Sequence, residues 1–220
     1  MDTLKTSKEI SLAMKGSNDP NFKRIHHYDH HIMLHIKDCI MKESCKSYFE
    51  IGTHFGHSLC TLLQSQYKST FISCDLFRVG KGIAKDCKIK NVEKLANDNA
   101  TLFNKNNYSF KILKANSNSP KTKQKIQELL PQGIDLFFID GNHNYKPVRK
   151  DFNLYFPLVN SGGYIVFDDY HPLTTNKGSK RGCPIAINDI TKQYADKLEV
   201  IGEARELYDS DNAAFIVKKI

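Results

Sequence analysis

The chain has 220 residues, of which 40% are hydrophobic and 25% are charged, and its formal net charge at pH 7 is +8. This composition is that of a globular protein and excludes a disordered chain, and no apolar run approaches the ~20 residues of a membrane span. The positive charge raises the question of a nucleic-acid partner. Only five of the 32 basic residues are arginines, which grip phosphates by paired hydrogen bonds, so nucleic acid is disfavoured.

The N-terminus and the cysteines both predict a cytoplasmic protein. Residues 1–22 are polar and lack the apolar segment of a secretory signal, and we expect them to form a flexible lead. Six scattered cysteines without a Cys-x-x-Cys pair indicate reduced thiols in the core. We expect residues 23–220 to form a single domain, with residues 23–46 as a helical cover.

Strands and helices are predicted to alternate along this domain. Apolar runs predict strands at 47–51, 70–75, 110–113, 134–139, 164–167, 198–201 and 213–217. Helices are predicted at 56–66, 85–104, 122–130, 146–157 and 183–196, and a turn at 161–163. Continuous apolar strands that alternate with helices are typical of a parallel sheet covered on both faces.

Acidic residues lie at the ends of four of the first five predicted strands. They are Glu50, Asp75, Asp140 and the pair Asp168 and Asp169. Any one of them could be a helix cap or a solvated loop residue. Because ligands bind beyond the carboxyl ends of the strands in such sheets, four acids at one edge indicate a functional site.

A glycine turn follows the first predicted strand. Its pattern, Glu50-x-Gly52-x-x-x-Gly56, differs from the Gly-x-Gly-x-x-Gly of dinucleotide binders, so a dinucleotide oxidoreductase is disfavoured. Gly52 permits a tight turn, and Ser58 is expected to cap the next helix. Asp75 is placed to accept hydrogen bonds from two ribose hydroxyls.

These residues resemble the class I S-adenosylmethionine (SAM)-dependent methyltransferases. The glycine turn and the later stretch from Ile139 to Tyr170 are similar to a subgroup of metal-dependent small-molecule O-methyltransferases. That subgroup includes the macrocin and aminocoumarin sugar O-methyltransferases and the cephalosporin-hydroxylase-like proteins. The resemblance covers roughly residues 45–220. It implies a Rossmann-like, doubly wound, seven-stranded α/β sheet, mostly parallel with an antiparallel last strand.

The resemblance also implies which residues hold the cofactor. Those around the methionine and sulfonium would be Glu50, Gly52, Thr53, Gly56 and Ser58. Asp75 would hold the ribose, Asn116 and Ser117 would lie near the adenine, and Asp140 would border the cofactor. The family commonly has an acid where this chain has Asn142, which leaves the identity of the catalytic base open.

A divalent cation, Mg²⁺ by preference, is expected at Asp140, Asp168 and Asp169. Three carboxylates at one edge repel one another unless a positive charge lies between them, and hard oxygen ligands suit Mg²⁺. The subgroup uses a divalent metal at the matching positions. His143 is the favoured general base, because an imidazole titrates near neutral pH. Alternatives are that Asp140 or Asp169 is the base, and that His143 only hydrogen-bonds its loop.

Two further segments are open to interpretation. His27, His31 and His35 would share one helix face, but no Cys or Glu completes a metal site, so packing over the cofactor and substrate contacts are favoured. The polar loop 171–181 is predicted to be a lid beside the metal.

The sequence therefore predicts a SAM-dependent O-methyltransferase acting on a small hydroxylated acceptor, with a sugar or glycan precursor preferred and a catechol-like phenol second. The alternatives are an RNA methyltransferase and a non-catalytic SAM-binding module. No Asn/Asp-Pro-Pro-Tyr motif follows the fourth strand, which disfavours methylation of base amines. No membrane partner is expected, and a homodimer is left open.

Overall fold

The computed structural model describes residues 7–15, 31–42, 44–77, 91–170, 182–205 and 213–220. The strands in these ranges are β1 (Ser47–Ile51), β2 (Thr70–Asp75), β3 (Phe110–Lys114), β4 (Ile134–Ile139), β5 (Val159–Tyr170), β6 (Leu198–Arg205) and β7 (Ala213–Lys219). The α-helices are α1 (Ser7–Ala13), α2 (His31–His35), α3 (His57–Leu62), α4 (Val92–Phe103), α5 (Pro120–Leu129), α6 (Tyr145–Tyr155) and α7 (Gly182–Gln193). A π-helical segment, Ile36–Ile40, continues α2, and a 3-10 turn, Phe156–Leu158, follows α6.

The seven described strands form one sheet in the order β3-β2-β1-β4-β5-β7-β6. Strands β1 to β5 pair in parallel, and β7 runs antiparallel to both of its neighbours. This confirms the predicted doubly wound, mostly parallel sheet with an antiparallel last strand. Successive strands are added on one side of β1 up to β3 and on its other side from β4 onward, so the strand order reverses between β1 and β4. In such folds the ligand crevice opens at that point.

Apolar side chains on both faces of the central strands bury the sheet. On one face the rings of Phe49 and Phe137 stack at 5.4 Å, and Tyr155 of α6 packs against both. On the other face Tyr48 packs against Phe71. Because both faces are covered, the sheet is rigid and the polar groups at its carboxyl edge are held in fixed positions.

Strand β5 is longer than the sequence predicts. The predicted strand 164–167 and turn 161–163 both lie inside Val159–Tyr170, so Asp168 and Asp169 belong to the strand and do not follow it. Pairing with β7 continues to Tyr170, across a register shift that begins after Phe167. The irregular pairing turns the strand at the two acids, and Asp169 has a left-handed backbone with φ of 54°.

Most predicted helices are confirmed with shorter bounds. The predicted helix 56–66 is α3, of six residues, and the predicted helix 183–196 ends at Gln193. Only residues 92–103 of the predicted helix 85–104 are helical among those described. Propensity alone sets helix ends poorly, because caps and tertiary contacts decide where a helix stops.

Part of the predicted N-terminal lead is packed against the domain. Ile10 and Met14 are buried in a cluster with Phe55, and the Lys15 amide donates a 2.7 Å hydrogen bond to the buried Asn99. The division into a lead, a cover and one domain stays a prediction. The predicted lid 171–181 lies outside the described residues. Among the helices described, none has the length and apolar character needed to cross a membrane.

Candidate active site

The backbones of β1 and β4 touch where the two strands end. Gly52 has φ of 106°, and a Cβ placed on it would lie 2.0 Å from the carbonyl oxygen of Asp140. The Asp140 amide donates to the Ile51 carbonyl at 2.8 Å. Only glycine fits at position 52, because a side chain would force the two strand ends apart. The glycine turn and the first predicted metal ligand are thus direct neighbours.

Glu50 lies beneath this turn and is fully buried. Its Oε2 accepts hydrogen bonds from the Tyr48 hydroxyl and from Ser58 Oγ at 2.7 Å, and its Oε1 accepts one from Ser73 Oγ. Ser73 also hydrogen-bonds Thr53. Glu50, Thr53 and Ser58 therefore form one buried polar network below the glycine turn. The expected cap at Ser58 is wrong: Gly56 is the N-cap residue of α3, and Ser58 donates to Glu50.

The buried position of Glu50 changes its acidity. Desolvation raises its pKa to about 7, against the opposing effect of the hydrogen bonds from Ser73, Tyr48 and Ser58. A carboxylate in this state gains from a nearby cation, such as the ammonium of a methionine moiety. Its assignment to the methionine end of the cofactor stays a prediction.

Asp75 is fixed at the end of β2 by two backbone amides. His54 N donates to its Oδ2 at 2.8 Å and Phe77 N donates to its Oδ1 at 2.7 Å. Both donors have left-handed backbones, with φ of 46° and 47°. Each carboxylate oxygen has a second lone pair available, so the residue can still accept two ribose hydroxyls.

The loop after β3 is tied to α6. Ser117 Oγ donates to Asp151 Oδ1 at 2.8 Å, and Asn118 Nδ2 donates to the same oxygen at 2.9 Å. Desolvation raises the pKa of the buried Asp151 to about 6. Asn116 is exposed, and its side chain accepts from the Asn118 amide. Of the two predicted adenine contacts, Asn116 faces solvent and Ser117 holds the loop.

Three predicted catalytic side chains are in contact. His143 Nε2 lies 3.2 Å from Asp140 Oδ1, and its Nδ1 pairs with Asp169 Oδ2. Asp140 comes from the end of β4, His143 from the next loop and Asp169 from the end of β5. Asp168 completes the group, and we call these four residues the acid cluster.

The acid cluster concentrates negative charge. Desolvation and the charges of Asp140 and Asp169 raise the pKa of Asp168 well above its usual range. Burial lowers the pKa of His143, but its hydrogen bonds and charge interactions with Asp140 and Asp169 outweigh burial and raise it to about 11. The arrangement therefore favours the imidazolium form of His143, which places a positive charge between the carboxylates.

A model for the methyltransferase domain matches residues 49–170, more than half of the chain. The chain belongs to this methyltransferase family. It is a SAM-dependent enzyme, as the family resemblance of its sequence implied. The matched range runs from the residue before Glu50 to the end of β5, so it contains both the glycine turn and the acid cluster.

Three known proteins are similar to this methyltransferase. The uncharacterized protein R132 of Acanthamoeba polyphaga mimivirus is 35% identical over 190 residues, which are 82% of this chain and 77% of that protein. A candidate caffeoyl-CoA O-methyltransferase from Staphylococcus aureus is 18% identical with a TM-score of 0.60, covering 96% of this chain and 98% of that one.

The third is the methyltransferase MycE of the mycinamycin biosynthetic pathway, solved with Mg, SAH and mycinamycin VI. It is 19% identical with a TM-score of 0.52, covering 86% of this chain and 48% of that one. At these identities the two solved structures establish the fold of the methyltransferase.

The donor chemistry of the acid cluster fits a divalent cation, but the present geometry is not that of a metal site. Carboxylate oxygens are the ligands Mg²⁺ prefers. Within the described ranges, no group of three or more His, Cys, Asp or Glu side chains is arranged to hold a metal ion. His143 lies between the carboxylates of Asp140 and Asp169. Its imidazole would have to move away before both carboxylates could bind one metal ion. His35 is exposed, and His27 lies outside the described residues.

Sequence reasoning missed the second layer of the methyltransferase site. Tyr48 and Ser73 hold Glu50, and Asp151 holds the loop after β3. Ser73 pairs with Glu50 in the parallel register of β1 and β2. The signal for it was a serine inside the apolar run Phe71-Ile72-Ser73-Cys74, a position where a buried hydroxyl needs a partner.

Proposed function

We propose that this methyltransferase transfers the methyl group of SAM to a hydroxyl of a small acceptor, with the help of a divalent cation. The observation that carries the proposal is the acid cluster at the ends of β4 and β5. It is in direct contact with the glycine turn, because Gly52 lies against the backbone of Asp140. A cofactor beside the turn would place its methyl group near carboxylates and an imidazole. Those groups suit the activation of a hydroxyl.

The reaction is a displacement at carbon. The acceptor oxygen forms a bond to the methyl carbon while the bond from that carbon to the sulfonium sulfur breaks. The sulfur keeps the electron pair and S-adenosylhomocysteine (SAH) is released. The hydroxyl proton passes to a base, for which His143 is our first choice and Asp140 or Asp169 the alternatives.

The residues that would hold the cation are Asp140, Asp168 and Asp169. When bound, a divalent ion supplies Lewis-acid chemistry that lowers the pKa of the acceptor hydroxyl. His143 with a pKa of about 11 cannot accept a proton at neutral pH. A cation held by the three carboxylates would compensate the charge on Asp140 and Asp169 and lower the pKa of His143, so that the imidazole could accept the proton.

We propose a sugar or glycan precursor as the acceptor. The acid cluster and the exposed Asn142 and Asn144 beside it offer hydrogen-bonding groups that suit a hydroxyl-rich molecule. MycE, which is solved with Mg and mycinamycin VI, shares the fold. The small number of arginines disfavours RNA.

An acceptor screen with methyl-labelled SAM tests the proposal. Pools of sugars and sugar nucleotides, of catechols and of RNA are incubated with the enzyme, with EDTA and with EDTA followed by excess Mg²⁺. We expect label in the sugar pools, its loss with EDTA and its return with Mg²⁺. Asp168→Asn should lower transfer at least 100-fold, whereas Asp196→Asn, an exposed acid, should not change it. Label only in RNA, or transfer that EDTA leaves unchanged, would contradict the proposal.

A further inference from the structure

The first two residues of α7 contact both chain segments that carry the acid cluster. Gly182 lies against the backbone of Asn144 and Tyr145, immediately after His143. The thiol of Cys183 donates a hydrogen bond to the carbonyl oxygen of Asp168 at 3.2 Å. One helix start therefore joins the loop after β4 to the end of β5.

The contact at Gly182 leaves no room for a side chain. A Cβ on this residue would lie 2.2 Å from Tyr145 N and 3.0 Å from the carbonyl carbon of Asn144. Gly182 does not have a left-handed backbone, so another residue could adopt its conformation. Close approach, and not conformational freedom, is the reason for glycine here.

The contact at Cys183 acts on the other half of the cluster. Its side chain is 2% exposed, so the thiol is held in one place by packing. The carbonyl that it binds precedes Asp169, whose backbone has φ of 54°. Non-glycine residues avoid this conformation unless the surroundings impose it. The hydrogen bond from Cys183 is one contact that holds the backbone at this point.

A further contact joins α6 and α7. The hydroxyl of Tyr145 donates to Asp189 Oδ2 at 2.8 Å. Because Asp189 lies two turns after Gly182 on α7, the helix holds Tyr145 at its backbone and at the tip of its side chain. The start of α6, and with it the neighbouring His143, follows any movement of α7.

We infer that Gly182 and Cys183 are positioning residues that set the distance between the Asp140–His143 loop and the Asp168–Asp169 pair. This inference rests on the proposed function, since it takes the acid cluster as the reacting site. A displacement of about 1 Å at such a site lowers the rate of the chemical step up to roughly 100-fold.

Hydrogen exchange of the full chain measures this linkage without any acceptor. In Gly182→Ala, amides in residues 142–145 and in residues 168–170 should both exchange at least about tenfold faster than in wild type. The exchange rates of amides in the glycine turn, residues 52–56, should be the same as in wild type. Ile185→Ala, an exposed residue of the same helical turn, is the control and should change neither segment. Unchanged exchange in either segment of Gly182→Ala would overturn the inference.

Kinetics with the acceptor found in the screen then separate positioning from folding. Gly182→Ala and Cys183→Ala should lower kcat about 10-fold or more, with KM for SAM and the Kd of SAH within twofold of wild type. Cys183→Ser should restore kcat, because its hydroxyl can donate to the same carbonyl. Cys45→Ala, at a buried thiol that also meets a carbonyl, should keep full kcat. Equal loss of kcat and SAH affinity would overturn the positioning role. A wild type without methyl transfer would count against the proposed function alone.

Discussion

Burial of a single carboxyl group changes its pKa in this site, and Glu50 is an example. It is a carboxylate without exposed surface that is held by three hydroxyl donors, and burial raises its pKa to about 7. We predict that Glu50 pairs with the ammonium of the cofactor. Because a protonated Glu50 cannot form this pair, the affinity for SAH should depend on pH. Below pH 7 the Kd of SAH should rise by up to about tenfold per pH unit, and above pH 8 it should be constant.

Calorimetric titration of SAH between pH 5.5 and 8.5 checks this dependence. Glu50→Gln should weaken binding at pH 8 at least tenfold and flatten the profile. Glu199→Gln, at an exposed position on β6, should leave both unchanged. A wild-type affinity that does not vary across this range would rule out a role for Glu50 at the ammonium.

Asp151 makes a prediction about stability. Its pKa rises from the ordinary value of 3.8 to about 6 on folding, so the folded state binds more protons than the unfolded state between these values. Its burial therefore costs stability as pH rises through this window, and the cost is complete above about pH 6. Asp151→Asn should raise the free energy of unfolding at pH 8 by roughly 1 to 3 kcal/mol, because the amide oxygen can still accept from Ser117 and Asn118.

Urea unfolding at pH 8 and near pH 4 measures this effect. The gain should shrink as pH falls from 6 towards 4, since both states then bind the proton. Asp196→Asn provides the exposed control and should change stability little at either pH. A destabilised Asp151→Asn at pH 8 would show that the charge itself, and not only the hydrogen bonds, stabilises the loop after β3.

At the scale of elements, the close approach of β1 and β4 makes the site. Gly52→Ala should abolish detectable SAH binding, because its Cβ would collide with the Asp140 carbonyl at 2.0 Å. Gly162→Ala is a matched control, since Gly162 also has a left-handed backbone, with φ of 82°, but no atom lies within 4 Å of its Cβ position. SAH calorimetry on both variants, with melting curves, separates the collision from backbone strain. Equal effects in the two variants would mean that strain alone matters.

The alternation of apolar runs and helices predicted the order of the elements correctly, and polar residues at strand ends predicted where the acid cluster forms. The end of β5 was not predictable, because Asp168 and Asp169 are polar and the strand continues past them only through the pairing of Tyr170 with β7, more than 40 residues later in the chain. Ser73 and Gly182 were missed for the same reason. Their partners are distant in the sequence: Ser73 meets Glu50 across two paired strands, and Gly182 meets Tyr145 where two helices begin.

At the scale of the whole molecule, the acids at the carboxyl edge of the sheet contrast with the net charge of the chain. The carboxyl edge gathers Asp75, Asp140, Asp168 and Asp169, although the chain carries a net charge of +8. The basic residues that the structure describes include exposed lysines, such as Lys121 and Lys125 of α5. The positive excess is therefore a property of the surface, and we expect no salt-dependent RNA binding of the kind that counterion release produces.

Binding of SAH at the glycine turn is the measurement that tests the account most directly. Calorimetry at pH 8 should show one SAH per chain. We predict that Asp75 accepts the ribose hydroxyls, so Asp75→Ala should weaken the affinity for SAH at least tenfold. Asp98→Asn, in a surface ion pair on α4, should bind as wild type does. Absence of SAH binding by the folded wild type, or an Asp75→Ala affinity equal to wild type, would contradict the placement of the cofactor at this turn.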